Sequence, residues 1–406
     1  MKALMRVLIA PILLTLVLSG CWDRDELNDL AIVLAAGVDY VDGMYEVSVQ
    51  TIDPSQTSKS PKGNRSAAIL YSEKGPTLVE AARKMTIKRS RLNYTGHIRL
   101  YLIGESVARR GITEALEVGF RLPSIRPDYY IAIARGYTAK EILSLITPFE
   151  QIPAIDFVKS LAISEAVWAP TTAVKALDME RILLSDSRQP VLTGITVTGD
   201  FRSGQTAGNV NQPKSHAEYE YTGLGVIKND KLVGWMNESD SKSYTYVHNL
   251  VKSTIASTEC PNSSQPFAIE LTRVHTSLKP LVRSGEPVMK LAMQVEANLA
   301  EVHCDIDLTK EASIAKLEDL MREKMKSVMS NGISHVQRQY GADIFGFGEA
   351  FYRKYPKQWR TWHKDWEARF RELPIEFEID YRIQRMGKNK TSVKSNPDKG
   401  GRTEWR

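Results

Sequence analysis

The stretch LAIVLAAGVDYVDGMYEVSVQ, residues 30–50, is the strongest indication of how the N-terminal half of the chain folds. Residues 30–38 are an unbroken apolar run, typical of a strand that is buried on both faces of a sheet. Asp42-Gly43 favours a type I′ turn, because both central residues of that turn need a positive φ. Apolar residues then alternate with polar ones at positions 45, 47 and 49. The stretch therefore predicts a buried strand that turns back into a half-buried one.

Upstream of this strand, the first twenty residues have the layout of a secretory signal. Lys2 and Arg6 precede an uncharged apolar run over residues 7–18. This run is about 12 residues long, whereas a membrane-spanning helix needs about 20. Leu18-Ser19-Gly20-Cys21 matches the lipobox of bacterial lipoproteins better than an ordinary secretory signal. We therefore expect signal cleavage after Gly20 and a diacylglycerol on the Cys21 thiol, which together tether the mature chain to a membrane.

The net charge of the chain lies at its ends. The formal net charge is +6, and the signal contributes two of these charges. Residues 386–406 contain six basic and two acidic residues, so the body over 21–385 is neutral. Residues 387–406 are predicted to be a disordered basic tail, which either solubilises the chain or contacts anionic lipid headgroups. Because no basic cluster is expected on a folded face, we predict no nucleic-acid partner.

Strands and helices alternate after the first hairpin, which predicts an N-terminal α/β domain over residues 21–185. Thr77 with Glu80, and Thr138 with Glu141, have the spacing of a capping box, so each pair should begin a helix. Strands are predicted around 98–103 and 130–134, and one helix near 106–120. Residues 53–66 contain many turn formers and predict a long loop.

The hydrophobic pattern of residues 186–260 is less regular. It predicts either a small middle domain or an excursion of the chain from the neighbouring domains. A strand is predicted over 190–197. A hairpin is predicted over 223–234, with its turn at Asn229-Asp230. The glycines of this hairpin lack the third glycine and the following helix of a dinucleotide-binding loop, so we interpret them as strand residues.

Residues 261–386 predict a C-terminal α+β domain. Strands of period two are expected over 267–271, 291–299 and 375–383, and a long helix capped by Thr309 precedes the last of them. The aromatic residues of 359–370 recur at helical spacing, and we interpret them as core. The 386 residues left after cleavage exceed the roughly 250–300 that one core can serve. We therefore predict a mixed α+β and α/β fold of three domains, with mostly antiparallel sheets packed by helices.

No catalytic or metal-binding motif is apparent in the sequence. GxSxG and HExxH are absent, and His303-Cys304-Asp305 lacks a second pair of ligands. Cys260 and Cys304 either form a disulfide or remain buried thiols. We expect no enzymatic activity, no metal and no cofactor besides the diacylglycerol on Cys21. Asp and Glu are so common that a catalytic pair of carboxylates has no sequence signature of its own.

Three segments resemble the Ger(x)C family, the C subunits of spore germinant receptors. They are GCWDRDELNDLAIV at 20–33, the hairpin at 223–234, and DIFGFG at 343–348 with the tryptophans that follow. The resemblance extends to about residue 387. It implies a lipoprotein on the outer face of the inner spore membrane or cell membrane, with no known catalytic residues. It also implies two integral membrane partner subunits, one of them permease-like, and a small-molecule germinant that this subunit contacts directly or indirectly.

Two other classes of protein share part of this pattern. A lipid-anchored solute-binding protein of a transporter would have the lipobox, but it would have two doubly wound lobes around a cleft. The period-two strands predict half-exposed antiparallel sheets instead. A cell-envelope hydrolase would need a nucleophile with its base, a metal set or paired acids, which an activity screen would detect.

Overall fold

The computed structural model describes residues 29–53, 56, 66–185, 187–261, 263–303 and 306–385. Within them, the strands are β1 (Leu30–Val41), β2 (Met44–Ile52), β3 (Ala68–Gly75), β4 (Leu92–Tyr94), β5 (Leu100–Gly104), β6 (Tyr130–Ala134), β7 (Val191–Gly199), β8 (Ala217–Lys228), β9 (Lys231–Trp235), β10 (Thr254–Glu259), β11 (Pro266–Arg283), β12 (Glu286–Val302) and β13 (Ile375–Arg385). The α-helices are α1 (Leu78–Lys84), α2 (Glu105–Arg110), α3 (Thr113–Arg121), α4 (Ala139–Leu143), α5 (Pro153–Val167), α6 (Ala176–Leu183), α7 (Phe201–Gly204), α8 (Glu238–Val247), α9 (Glu311–His335), α10 (Phe347–Lys354), α11 (Pro356–Trp362) and α12 (Trp366–Glu372).

The larger sheet has the strand order β3-β2-β1-β5-β6-β7-β8-β9, and β4 pairs with β1. The central strands β1, β5, β6 and β7 are parallel, and antiparallel hairpins flank them on both sides. Helices cover both faces. Residues of α1, α2, α3 and α6 pack in one apolar cluster, and residues of α4 and α5 pack in another. This double burial explains the continuous apolar sequence of β1.

Both predicted tight turns have the backbone that their residues favour. Asp42 and Gly43 have φ angles of 53° and 79°, and Val41 pairs with Met44 across the turn. Asn229 and Asp230 have φ angles of 48° and 75°, so the hairpin over 223–234 is formed by β8 and β9. Short polar side chains and glycine tolerate this left-handed region. The two hairpin predictions are therefore confirmed.

The helix starts predicted at Thr77 and Thr138 are confirmed. The prediction of one continuous helix near 106–120 was wrong. The Thr138 side chain accepts a hydrogen bond from the Glu141 amide, and the Glu141 carboxylate accepts one from the Thr138 amide. Thr77 accepts a hydrogen bond from the Glu80 amide at the start of α1, and the Glu80 carboxylate pairs with Lys84 instead of completing a capping box. The predicted single helix is two helices, α2 and α3. The chain breaks at Gly111, whose φ of 153° only glycine adopts readily.

Residues 186–260 contribute β7, β8 and β9 to the larger sheet and β10 to the smaller one. β7 pairs with β6, and the β8–β9 hairpin forms the edge of the same sheet. Helix α8 packs instead on α9 and β11 of the C-terminal part. The proposed boundaries of the three domains stay a prediction.

The smaller sheet has the order β10-β11-β12-β13, with β13 parallel to β12 and the other pairs antiparallel. α9 packs against β13 and continues through Gly332, where a Cβ would collide with Ser243 of α8. Thr309 does not cap this helix. The N-cap is Lys310, and the Thr309 hydroxyl donates to Asp307 Oδ1.

The aromatic residues Trp359, Trp362, Trp366 and Phe370 are buried, as predicted. The mixed fold class is confirmed.

Within the described part of the chain, no helix combines the length and the apolar character that a membrane span requires.

Candidate functional site

The two residues predicted to carry the lipid chemistry, Gly20 and Cys21, lie outside the described residues. The description begins just before β1, at Asp29. Cys260 is disulfide-bonded and buried, and Cys304 lies outside the described residues. His303 pairs with Glu301 rather than with a group of ligands. Among the described residues, no cluster of three or more His, Cys, Asp or Glu is placed to hold a metal ion.

The structure brings together the two family-like segments of the C-terminal half, and we call this meeting point the junction. It consists of the β8–β9 hairpin over residues 223–234, the turn over residues 343–348, and the π-helical turn Val336–Tyr340 that precedes this turn. The Lys228 ammonium donates to the Tyr340 carbonyl at 3.1 Å and pairs with Glu367. The Tyr340 hydroxyl donates to the Trp235 carbonyl at 3.0 Å. Sequence separation between these partners exceeds 100 residues, so only the fold makes these contacts.

The same hairpin also contacts the helices of the larger sheet. The Asp230 carboxylate accepts from the Thr113 amide at 2.6 Å, and its carbonyl accepts from the Ile112 amide at 2.8 Å. On the other side, the Asn229 amide donates to Gln189 Oε1 at 3.1 Å, and the Gln189 amide donates to the Asp343 carbonyl at 2.9 Å. The hairpin therefore links the N-terminal helices to the C-terminal turn.

Asp343 fixes the turn that leads into α10. Its Oδ1 accepts from the Phe347 amide at 3.1 Å, and its Oδ2 accepts from the Gly348 amide at 2.7 Å and from the Trp366 indole at 3.0 Å. Burial raises the pKa of this carboxyl to about 6, against the opposing effect of these donors. A Cβ on Gly348 would lie 2.7 Å from Trp359, which explains the glycine. All the oxygens of the side chain are occupied, so the group is structural.

His248 lies against the same turn and is neutral. Its Nε2 lies 3.1 Å from the Ile344 carbonyl, which can only accept, so we assign the proton to Nε2. Burial, with a smaller effect from the Arg188 guanidinium, lowers the pKa of His248 to about 3. Arg188 donates to the Tyr244 hydroxyl at 3.0 Å. The junction therefore has a buried, hydrogen-bonded interior, and its groups hold segments together instead of facing a substrate.

Sequence reasoning missed most of the polar members of the junction. Arg188, Gln189 and His248 lie in irregular segments, where no periodicity marks a residue as buried. Asp343 was visible only as part of the motif at 343–348. Asn229-Asp230 was found because turn chemistry is local, but its long-range contacts had no signal in the sequence.

Comparison with known proteins identifies the family. Residues 23–197 match the family described as spore germination protein N-terminal domain, and residues 222–387 match the one described as spore germination B3/GerAC like, C-terminal. The chain belongs to the Ger(x)C family. The resemblance inferred from the three motifs is thus confirmed, and the second matched region contains the whole junction hairpin at 223–234 and the turn at 343–348.

This chain matches known spore germination proteins along nearly its entire length and nearly the entire length of each of them. Spore germination protein KC of Bacillus subtilis (strain 168) is 28% identical over 401 residues, which cover 97% of this chain and 98% of that protein. Spore germination protein B3 of the same organism is 21% identical, with 92% and 95% covered. A solved structure titled as the crystal structure of the GerBC protein is similar with a TM-score of 0.55 at 17% identity, over 86% of this chain and 96% of that one. This last likeness shows a shared fold.

Proposed function

We propose that this Ger(x)C chain is the membrane-tethered subunit of a nutrient germinant receptor and is required for spore germination. The observation that carries the proposal is the near full-length match to spore germination proteins KC and B3. The lipobox at 18–21 supplies the tether, a diacylglycerol on Cys21. The proposed location is the outer face of the inner spore membrane or cell membrane.

The tether is short. Eight residues lie between Cys21 and Leu30, where β1 begins, and the nine Cα–Cα steps of that extended segment span at most about 30 Å. The larger sheet would therefore stay close to the lipid surface. Confinement beside membrane partners raises their effective concentration to about the millimolar range, so small polar interfaces suffice for assembly.

The proposed partners are two integral membrane subunits, one of them permease-like. The proposal needs no direct contact between this chain and the germinant, which these subunits can bind themselves. It also includes no catalytic step. The nine-stranded mixed sheet and the four-stranded sheet differ from the two doubly wound lobes of a solute-binding protein, so the fold gives that alternative no support.

The test is the variant Cys21→Ala, in spores that depend on this receptor. We expect the variant to fold normally but to move from the membrane fraction to the soluble fraction, with a large loss of germination through this receptor. Thr15→Ala is the matched control, because it changes the signal segment but leaves the lipobox intact. A foreign transmembrane helix fused before residue 22 should restore germination, since the proposal requires only tethering. Full membrane retention and normal germination of Cys21→Ala would contradict the proposal.

A further inference from the structure

A groove lies between α5, the loop after α4, and strand β8 of the larger sheet. Its volume is about 450 Å³, within the range of small-molecule sites. Large apolar side chains border it and remain exposed. Phe149 is 88% exposed, Ile163 60% and Trp168 43%. Such a cluster of exposed apolar side chains around a concave surface is typical of a binding site.

A buried carboxylate borders this groove. Asp156, in the first turn of α5, is 5% exposed. Its Oδ2 has no hydrogen-bond partner among the described residues and is shielded from solvent. Buried polar atoms are paired in the great majority of cases, and an unpaired one costs free energy. The carboxylate therefore lacks a donor that a ligand can supply.

Among the described residues, the side-chain donor near Asp156 is shared with a second acceptor. The Tyr219 hydroxyl lies 3.2 Å from Asp156 Oδ1 and 2.9 Å from Ser160 Oγ, and its single proton can serve only one of them. Ser160 in turn donates to the Tyr221 hydroxyl at 3.0 Å, and Tyr221 donates to the Phe157 carbonyl. This chain of hydroxyl groups runs away from Asp156. Tyr219 can therefore turn its proton to Ser160 and leave Asp156 to an incoming donor.

The charge of the lining selects a cation. Asp156 lines the groove, Glu218 and Glu220 belong to the strand at its border, and no Lys, Arg or His of the described residues lines it. The Lys242 ammonium lies 4.6 Å from the Trp168 ring centroid, but it pairs with Glu238. Aromatic rings attract cations, whereas a ligand carboxylate would be repelled by the carboxylate of Asp156.

We propose that the groove binds a small organic ammonium ion that has an apolar body and no carboxylate. The ammonium donates to Asp156, and the apolar body contacts Phe149, Ile163 and Trp168. This site goes beyond the proposed receptor role, and its test needs neither a membrane partner nor germination.

The test is isothermal titration calorimetry of the full-length, lipidated chain in detergent at pH 7. Three probes share one phenyl group: phenethylamine carries an ammonium, phenylacetate a carboxylate, and phenylalanine both. We expect phenethylamine to bind, phenylalanine to bind at least about 10-fold more weakly, and phenylacetate not to bind. Binding of phenylacetate as tight as that of phenethylamine, or no binding of phenethylamine, would overturn the proposal.

Substitutions identify the group responsible. Asp156→Asn should weaken phenethylamine binding about 10- to 100-fold, the expected loss for a charge-assisted hydrogen bond. Asp178→Asn, an exposed carboxylate on α6, is the matched control and should bind as the unchanged chain does. Tyr219→Phe should bind phenethylamine at least as tightly, because the competing hydroxyl is gone. Unchanged binding by Asp156→Asn, or lost binding by Tyr219→Phe, would refute the site.

A stability measurement separates a ligand site from a structural role. Without ligand, the melting temperature of Asp156→Asn should equal or exceed that of the unchanged chain, since the substitution removes an unpaired buried charge. A fall of several degrees would show that the carboxylate supports the fold, and it would overturn the proposal.

Discussion

Two buried carboxylates of this chain have opposite surroundings. Asp343 accepts three hydrogen bonds from two backbone amides and an indole, and it closes the turn at the junction. Asp156 shares one hydroxyl proton with Ser160, and one of its oxygens has no partner among the described residues. The number of hydrogen bonds that each carboxylate accepts separates the roles of these two buried groups. A carboxylate whose acceptors are filled stabilises a segment, whereas one with an empty acceptor has capacity for a ligand.

The largest effect is expected for Asp343→Ala. The substitution leaves three buried donors without an acceptor, each costing about 1–3 kcal/mol, so the free energy of unfolding should fall by at least about 3 kcal/mol. The measurement is urea unfolding at pH 5, where the carboxyl of the folded chain is largely protonated and the burial of charge does not obscure the result. A loss below 1 kcal/mol would mean that the turn does not depend on Asp343.

The pH dependence of stability should carry the signature of Asp343. Its pKa is about 6 in the folded chain and 3.8 ordinarily, so between these values the folded chain binds more protons than the unfolded chain. The free energy of unfolding should therefore fall as the pH rises from about 4 to about 6, by up to about 3 kcal/mol.

The measurement is the difference in unfolding free energy between the unchanged chain and Asp343→Asn across that pH window. His248, whose pKa is lowered to about 3, destabilises the fold as the pH decreases below about 6.5. Because both chains contain His248, its contribution cancels in the difference. A difference that does not change with pH would rule out the raised pKa of Asp343.

The smallest effect is expected in the groove. Ser160→Ala removes one acceptor of the Tyr219 proton, but Tyr219 can donate to Asp156, and Tyr221 keeps its bond to the Phe157 carbonyl. The loss in unfolding free energy should be at most about 1 kcal/mol. Urea unfolding of Ser160→Ala alongside Asp343→Ala compares the two sites directly. A loss of about 3 kcal/mol would make the hydroxyl groups of the groove as structural as the turn.

The local features of this protein could be predicted from its amino-acid sequence. Asp42-Gly43 and Asn229-Asp230 specified their turns through positive φ, and Thr138 with Glu141 specified a helix start. These signals act between neighbours in the chain, so they are readable without the fold. The motifs at 20–33, 223–234 and 343–348 also pointed to the family. The lipid on Cys21 stays a prediction from the lipobox.

Which of these segments contact one another follows from long-range packing and could not be predicted from the sequence. The β8–β9 hairpin joined the larger sheet and reached Tyr340, over 100 residues away, because the burial of its strands outweighs any local preference. Gly111 split a predicted helix where Asp230 approaches it. Nothing local distinguishes the side chain of Asp343 from that of Asp156. Only the count of donors around each, which long-range packing sets, separates a structural carboxylate from a proposed binding site.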